Sequence, residues 1–123
     1  MANYEPNRPY KEGDVVYLAR RSDGALKIGK AADIRGRHSR LCGYYNQYVE
    51  MLYTTPGYTE LEKFLHDKFA EYRVAAIRST NGSDWYQPVQ PILDWFAEHA
   101  KPYQSDLKGG AARRWYPAQE ASQ

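Results

Sequence analysis

The sequence is poor in the features that would make it secreted, membrane-bound or metal-stapled. There is one cysteine, Cys42, which excludes an internal disulfide and a cysteine-cluster zinc site. No apolar run approaches the roughly 18 residues needed to cross a bilayer. The opening MANYEPNRPY lacks a basic start followed by an apolar core, so no secretory signal is expected there. Internal repeats are absent. Charge is nearly balanced, at +2 over 123 residues. A reducing, cytoplasmic setting fits these absences.

What is present is unevenly placed. Between Arg20 and Arg40 lie Arg20, Arg21, Lys27, Lys30, Arg35, Arg37 and Arg40, opposed only by Asp23 and Asp33. That segment carries +5 and leaves −3 for the rest. A basic block in a near-neutral chain points to an anionic partner at one place, nucleic acid or phosphate, or else to a solvated helix face. Aromatic residues reach 15%, with 12 tyrosines, and 42% hydrophobic residues suffice for one modest core. One domain is expected over residues 13–104, after a flexible lead-in at 1–12 and before a mobile tail at 105–123.

Along that domain, Val15 to Arg20 reads as a strand and Ala25 to Ala31 as its return. A two-residue Asp23-Gly24 loop would set Tyr17 and Lys27 on opposite faces. A three-residue Ser22-Asp23-Gly24 loop, with Gly24 left-handed, would set Tyr17, Ala19, Lys27 and Gly29 together. Asp33 is a natural N-cap for a helix to about Tyr44, with Ile34, Leu41 and Tyr45 as its apolar stripe and Arg37 at the border. Gly36 weakens that helix by about 1 kcal/mol relative to alanine, for which a close backbone approach is one reason. Tyr48 to Thr55 alternates as a third strand with Val49, Met51 and Tyr53 on one face. Thr59 to Arg73 reads as a second helix with Leu61, Phe64, Leu65, Phe69 and Tyr72 inward. Residues 74–82 look irregular, Ser83 to Tyr86 extended, and a third helix opens at Pro88 and closes at Pro102. The fold class is therefore α+β: a small three-stranded antiparallel sheet flanked by helices, in the order β-β-α-β-α-(β)-α.

Over roughly residues 14–96 this order and four short motifs resemble the GIY-YIG nuclease superfamily, in particular its phage and bacterial branch with KIG in place of YIG. Val16-Tyr17-Leu18 resembles the GIY element and Lys27-Ile28-Gly29 the YIG element. Arg37, eight residues after Gly29, falls where the family has its catalytic arginine. Leu61-Glu62-x-x-Leu65-His66-x-x-Phe69 resembles the helix that carries the metal-binding glutamate. Asp84-Trp85-Tyr86 resembles the closing motif of this branch.

The resemblance implies hydrolysis of DNA phosphodiester bonds assisted by one Mg2+ or Mn2+ ion, with RNA left open as substrate. It assigns the metal to Glu62 and the phosphate to Arg37. From the residues alone, Thr59-x-x-Glu62 reads first as a capping box, which needs no metal, and the resemblance reverses that preference. Tyr17 would activate water, helped by a cation such as Lys27, because a phenol near pKa 10 is a poor base on its own. His66, on the Glu62 side of its helix, and His38 are candidate auxiliary groups. Arg20, Arg21, Lys30, Arg35 and Arg40 are candidate nucleic-acid contacts. His99 and Asn81 carry no assignment, and Cys42 reads as a small buried residue. Arg113-Arg114-Trp115-Tyr116 in the tail suits stacking on bases. A homodimer or a protein partner would supply specificity that so small a surface lacks. Two rival readings are a non-catalytic nucleic-acid binder and a phage-type factor that acts on a host protein.

Overall fold

A computed structural model describes residues 8–45, 48–74 and 85–104. Most of the lead-in, the stretch holding Asn81 and Asp84, and the tail with Arg113-Arg114-Trp115-Tyr116 lie outside the described residues. The elements run β1 (Val15–Arg21), β2 (Leu26–Ala31), α1 (Ile34–Tyr45), β3 (Val49–Pro56), α2 (Thr59–Lys68), a 3-10 turn (Ala70–Tyr72), β4 (Trp85–Tyr86), α3 (Gln90–His99) and β5 (Lys101–Pro102). The sheet is antiparallel and has five strands in the order β4-β2-β1-β3-β5. The expected three strands are its centre. The two added strands are two-residue edge pieces, too short for an alternating pattern to reveal, and Pro102 is tolerated because it lies at an edge.

The β1–β2 hairpin has the three-residue loop. Arg21 and Ala25 close it, Gly24 stands at φ 100°, and Ala19 faces Lys27 while Tyr17 faces Gly29. Odd-numbered residues of both strands thus share one face and even-numbered residues the other. Val16, Leu18, Leu26 and Ile28 pack with Leu65, Phe69, Ile92 and Phe96 under α2 and α3. Tyr17, Ala19 and Ala31 pack with Leu41 and Cys42 under α1. Each large apolar side chain so buried is worth roughly 1.5–3 kcal/mol.

Against β3 the register slips. Leu18 pairs with Tyr53 but Ala19 with Met51, so Leu52 is an extra residue in a bulge. Val49 and Met51 therefore face α1, whereas Tyr53 packs against the α2–α3 cluster. The expectation that all three share a face fails at that one residue. Helix α2 stops at Lys68 rather than Arg73, and the chain tightens into the 3-10 turn. Phe64 is 51% exposed and outside the core, because it lies about 100° round the helix from Leu65. Helix α3 begins at Gln90, two residues beyond Pro88, with Pro91 in its first turn.

Asp33 caps α1 as expected, its Oδ1 accepting the Gly36 N–H at 3.1 Å. The glycine has a reason here. A Cβ on Gly36 would lie 2.5 Å from Asp33 Oδ2, so the cap needs a bare backbone. Gly36→Ala should therefore lack the usual gain of about 1 kcal/mol, since a cap of similar worth is displaced. A melting temperature raised by several degrees in this variant would contradict that account.

Ahead of β1, Asp14 is gripped by Arg8 through two bonds of 2.7 and 2.8 Å and by the Lys11 N–H at 2.6 Å. The Arg8 bonds outweigh burial and, with Lys11, hold the carboxyl at about 2. A depressed pKa stabilises the fold fully above the ordinary 3.8 and loses that effect as pH falls through about 2. Wild type should accordingly be more stable than Asp14→Asn at neutral pH, with the gap closing across that acid window in urea titrations. A gap that stays constant with pH would rule out this role.

Candidate active site

The hairpin sets the site's position. Among the described residues, strand β4 covers β2 at Leu26 and Lys27. Beyond that point, two outer-edge carbonyls of β2 are taken by side chains. His66 Nε2 reaches the Ile28 carbonyl at 3.1 Å from α2, and Arg37 Nη1 donates to the Lys30 carbonyl at 2.9 Å from α1. Helices on opposite faces of the sheet therefore meet at one short stretch of edge. Gly29 lies between those two carbonyls, and the Tyr17 ring crosses it closely.

On the α1 side, Tyr17 is fully buried and its hydroxyl lies 3.5 Å from Arg37 Nη1. That corner of the guanidinium is anchored on two oxygens. Its Nε and Nη2 donors have no hydrogen-bond partner among the described residues. Lys27 shares the Tyr17 face as the three-residue loop requires. It is 4% exposed, and its Nζ lies 5.5 Å from the centre of the Trp85 ring. Arg37 brings a cation to the Tyr17 hydroxyl from α1.

On the α2 side, Glu62 is only 18% exposed. Its Oε1 accepts from Lys30 Nζ at 2.9 Å, and its Oε2 lies 3.7 Å from His66 Nε2. Burial pushes this carboxyl up, but His66 and Lys30 more than offset that and hold it below the ordinary value. Glu62 does not close a capping box. Tyr58 is the N-cap residue without a side-chain cap, and Thr59 Oγ1 donates to the Arg8 carbonyl at 3.4 Å. The competition between cap and site thus resolves away from the cap. The Tyr58 ring instead borders both cations, with Arg8 Cζ at 4.2 Å and Lys30 Nζ at 5.5 Å from its centre.

Of the other sequence candidates, His38 lies apart from this cluster. It is fully buried in the α1 stripe, Ile34-His38-Leu41-Cys42, and its Nε2 meets the Val49 carbonyl at 2.6 Å. A hydrogen-bonded histidine there serves packing, and it has no surface to offer a substrate. Cys42 is buried beside it, and burial pushes its thiol up, away from the reactive thiolate. The basic block is partly consumed by carboxylates. Arg20 pairs with Glu50 at 2.8 Å and Arg21 with Asp23 at 2.7 Å, with Arg21 also lying 4.5 Å over Trp85. Arg35 and Arg40 are exposed on α1.

Two participants were not singled out as site residues. Tyr86 and Arg73 close the cluster behind His66, since Tyr86 bonds His66 Nδ1 and Arg73 Nη2 lies 3.3 Å from the Tyr86 hydroxyl. For Tyr86 the Trp-Tyr pair was a signal. Arg73 carried none, because its place depends on the chain turning after α2.

Residues 14–100 match the T5orf172 domain. The chain belongs to that family. A T5orf172 domain is phage-associated and related to nuclease-type folds, which gives the chain a nuclease-like, nucleic-acid-related character. No curated protein and no solved structure matches it. Among the described residues of this T5orf172 domain no helix is long and apolar enough to cross a membrane, and no three His, Cys, Asp or Glu side chains converge as a metal cage. Among the described residues, Glu62 is the carboxylate that this cluster holds. That donor set fits a hard divalent ion held by one carboxylate, with water and phosphate oxygens completing the shell, provided Lys30 releases Glu62.

Proposed function

We propose that this T5orf172 domain is a metal-dependent endonuclease of the GIY-YIG kind, cutting phosphodiester bonds of DNA with one Mg2+ or Mn2+ ion. The observation that supports it is the convergence of Arg37 and Glu62, from opposite faces of the sheet, on the stretch of β2 edge around Gly29. Arg37, anchored at Nη1, turns its remaining donors to a phosphate as a planar fork. Glu62 holds the ion, which supplies charge to the phosphate when bound. Lys30, released from Glu62, is then available to a second phosphate oxygen. Tyr17, acting as a phenolate with the Arg37 cation at its oxygen and Lys27 on its face, takes the proton of the attacking water. Because Tyr17 is fully buried, this role requires that substrate binding admit water to the hydroxyl.

One observation favours a second reading, a domain that binds nucleic acid without cutting. Glu62 is already neutralised by Lys30, an arrangement that needs no metal. Incubation with supercoiled plasmid separates the two. Nicking or linearisation with Mg2+ or Mn2+ and none in EDTA is expected. Plasmid that stays intact under every condition, while binding weakens steeply with salt, would leave only the second reading.

A further inference from the structure

Both nitrogens of the His66 ring are committed, and chemistry fixes which one carries the hydrogen. Arg73 Nη2 approaches the Tyr86 hydroxyl at 3.3 Å, and a guanidinium only donates. The hydroxyl oxygen is therefore an acceptor toward Arg73, which leaves its own hydrogen available to His66 Nδ1. Nδ1 then carries a lone pair. At the far side, the Ile28 carbonyl lies 3.1 Å from Nε2 and can only accept, so Nε2 carries the hydrogen. The opposite tautomer would turn a nitrogen lone pair on a carbonyl oxygen at that distance. The two ends of the ring agree.

We infer that Tyr86 is a positioning residue that acts through His66: it locks the ring in its Nε2–H form, in which the Ile28 carbonyl holds the Nε2 hydrogen and no ring lone pair is offered beside Glu62. The functional half of this inference rests on the nuclease reading. A protonated ring nitrogen cannot ligate a metal, and Nδ1 is occupied by Tyr86. His66 thus does not serve as an auxiliary ligand. It flanks Oε2, 3.7 Å away, and favours the ionised carboxylate that a cation requires. The arrangement places the helix partner of Glu62 under the control of a strand residue, Tyr86 on β4, and of Arg73 just after the 3-10 turn.

The test is nitrogen NMR of the histidine rings in the full chain above about pH 8, where a free imidazole is neutral. The His66 signals are assigned with His66→Gln. Wild type should show a bare Nδ1 and a protonated Nε2. Tyr86→Phe, which removes only the hydroxyl, should mix the tautomers and weaken Mn2+ binding about 10–100-fold, as loss of an outer partner of a metal ligand does. Arg73→Met, which spares the buried ring, should move the tautomer in the same direction. A wild-type ring protonated at Nδ1 or at both nitrogens would overturn the inference. So would a Tyr86→Phe protein, folded as judged by its spectrum, with tautomer and Mn2+ affinity unchanged. A wild type that never cuts DNA defeats the nuclease reading alone, because the tautomer and Mn2+ arms need no cleavage.

Discussion

Arg37→Ala and Glu62→Ala are each expected to slow metal-dependent plasmid nicking by about 10²–10³, the usual cost of removing one group that stabilises developing charge. Both side chains are part-exposed and lie outside the two apolar clusters, so the variants should fold. Arg37→Lys should not recover the loss. One ammonium cannot hold the Lys30 carbonyl and the Tyr17 hydroxyl while also presenting a planar pair of donors to phosphate. The double variant should be scarcely worse than either single one, because groups that act as a unit do not lose activity additively. Single-turnover rates on a nicked-circle assay give all four numbers. Cutting that survives both alanines would remove this site from consideration.

Gly29→Ala should be the most damaging single methyl group that can be added to the sheet. A Cβ there would stand 2.5 Å from the Tyr17 hydroxyl oxygen and 2.6 Å from the ring carbon that bears it. The far end of a flexible side chain would step aside, but Tyr17 is fully buried between strand and helix. Overpacking of this kind costs about 1–3 kcal/mol, and each kcal/mol lowers the melting temperature of so small a domain by about 4–8 °C. Adding Tyr17→Phe removes the oxygen but keeps the ring carbon, so it should restore only part of the loss. A Gly29→Ala protein with wild-type melting would mean that the Tyr17 ring is not seated across the strand as described.

The glycine also shows what the sequence could reveal. Two hairpin loops were open on paper, and they differ by one residue and by every side-chain direction. Left-handed Gly24 and the Tyr17–Gly29 register resolve the choice. The helices, the central strands and the Asp33 cap were legible because periodicity and capping are local. The Leu52 bulge was not, since nothing in Glu50-Met51-Leu52-Tyr53 distinguishes the residue that β1 skips. His38 reads in sequence as a polar group on a basic helix. It is in fact the second member of an apolar stripe at i, i+4, i+7 and i+8, made tolerable by one carbonyl that α1 cannot see in its own sequence. The Thr59-x-x-Glu62 spacing fits a capping box, but Lys30, 32 residues away, and His66, one turn along the same helix, outcompete the cap. Local rules fail where a distant cation offers more.

The stretch of β2 beyond Lys27 has another meaning for the molecule as a polymer among other polymers. Unpaired strand backbone is a template on which a second chain can add itself. Here two of its acceptors are capped by side chains, a cationic guanidinium and an imidazole, and the neighbouring Lys30 adds charge to the rim. Arg37 and Lys30, proposed to meet a phosphate, thus share with His66 the blunting of this edge, and losing Arg37 together with His66 would leave its two acceptors open to a second chain.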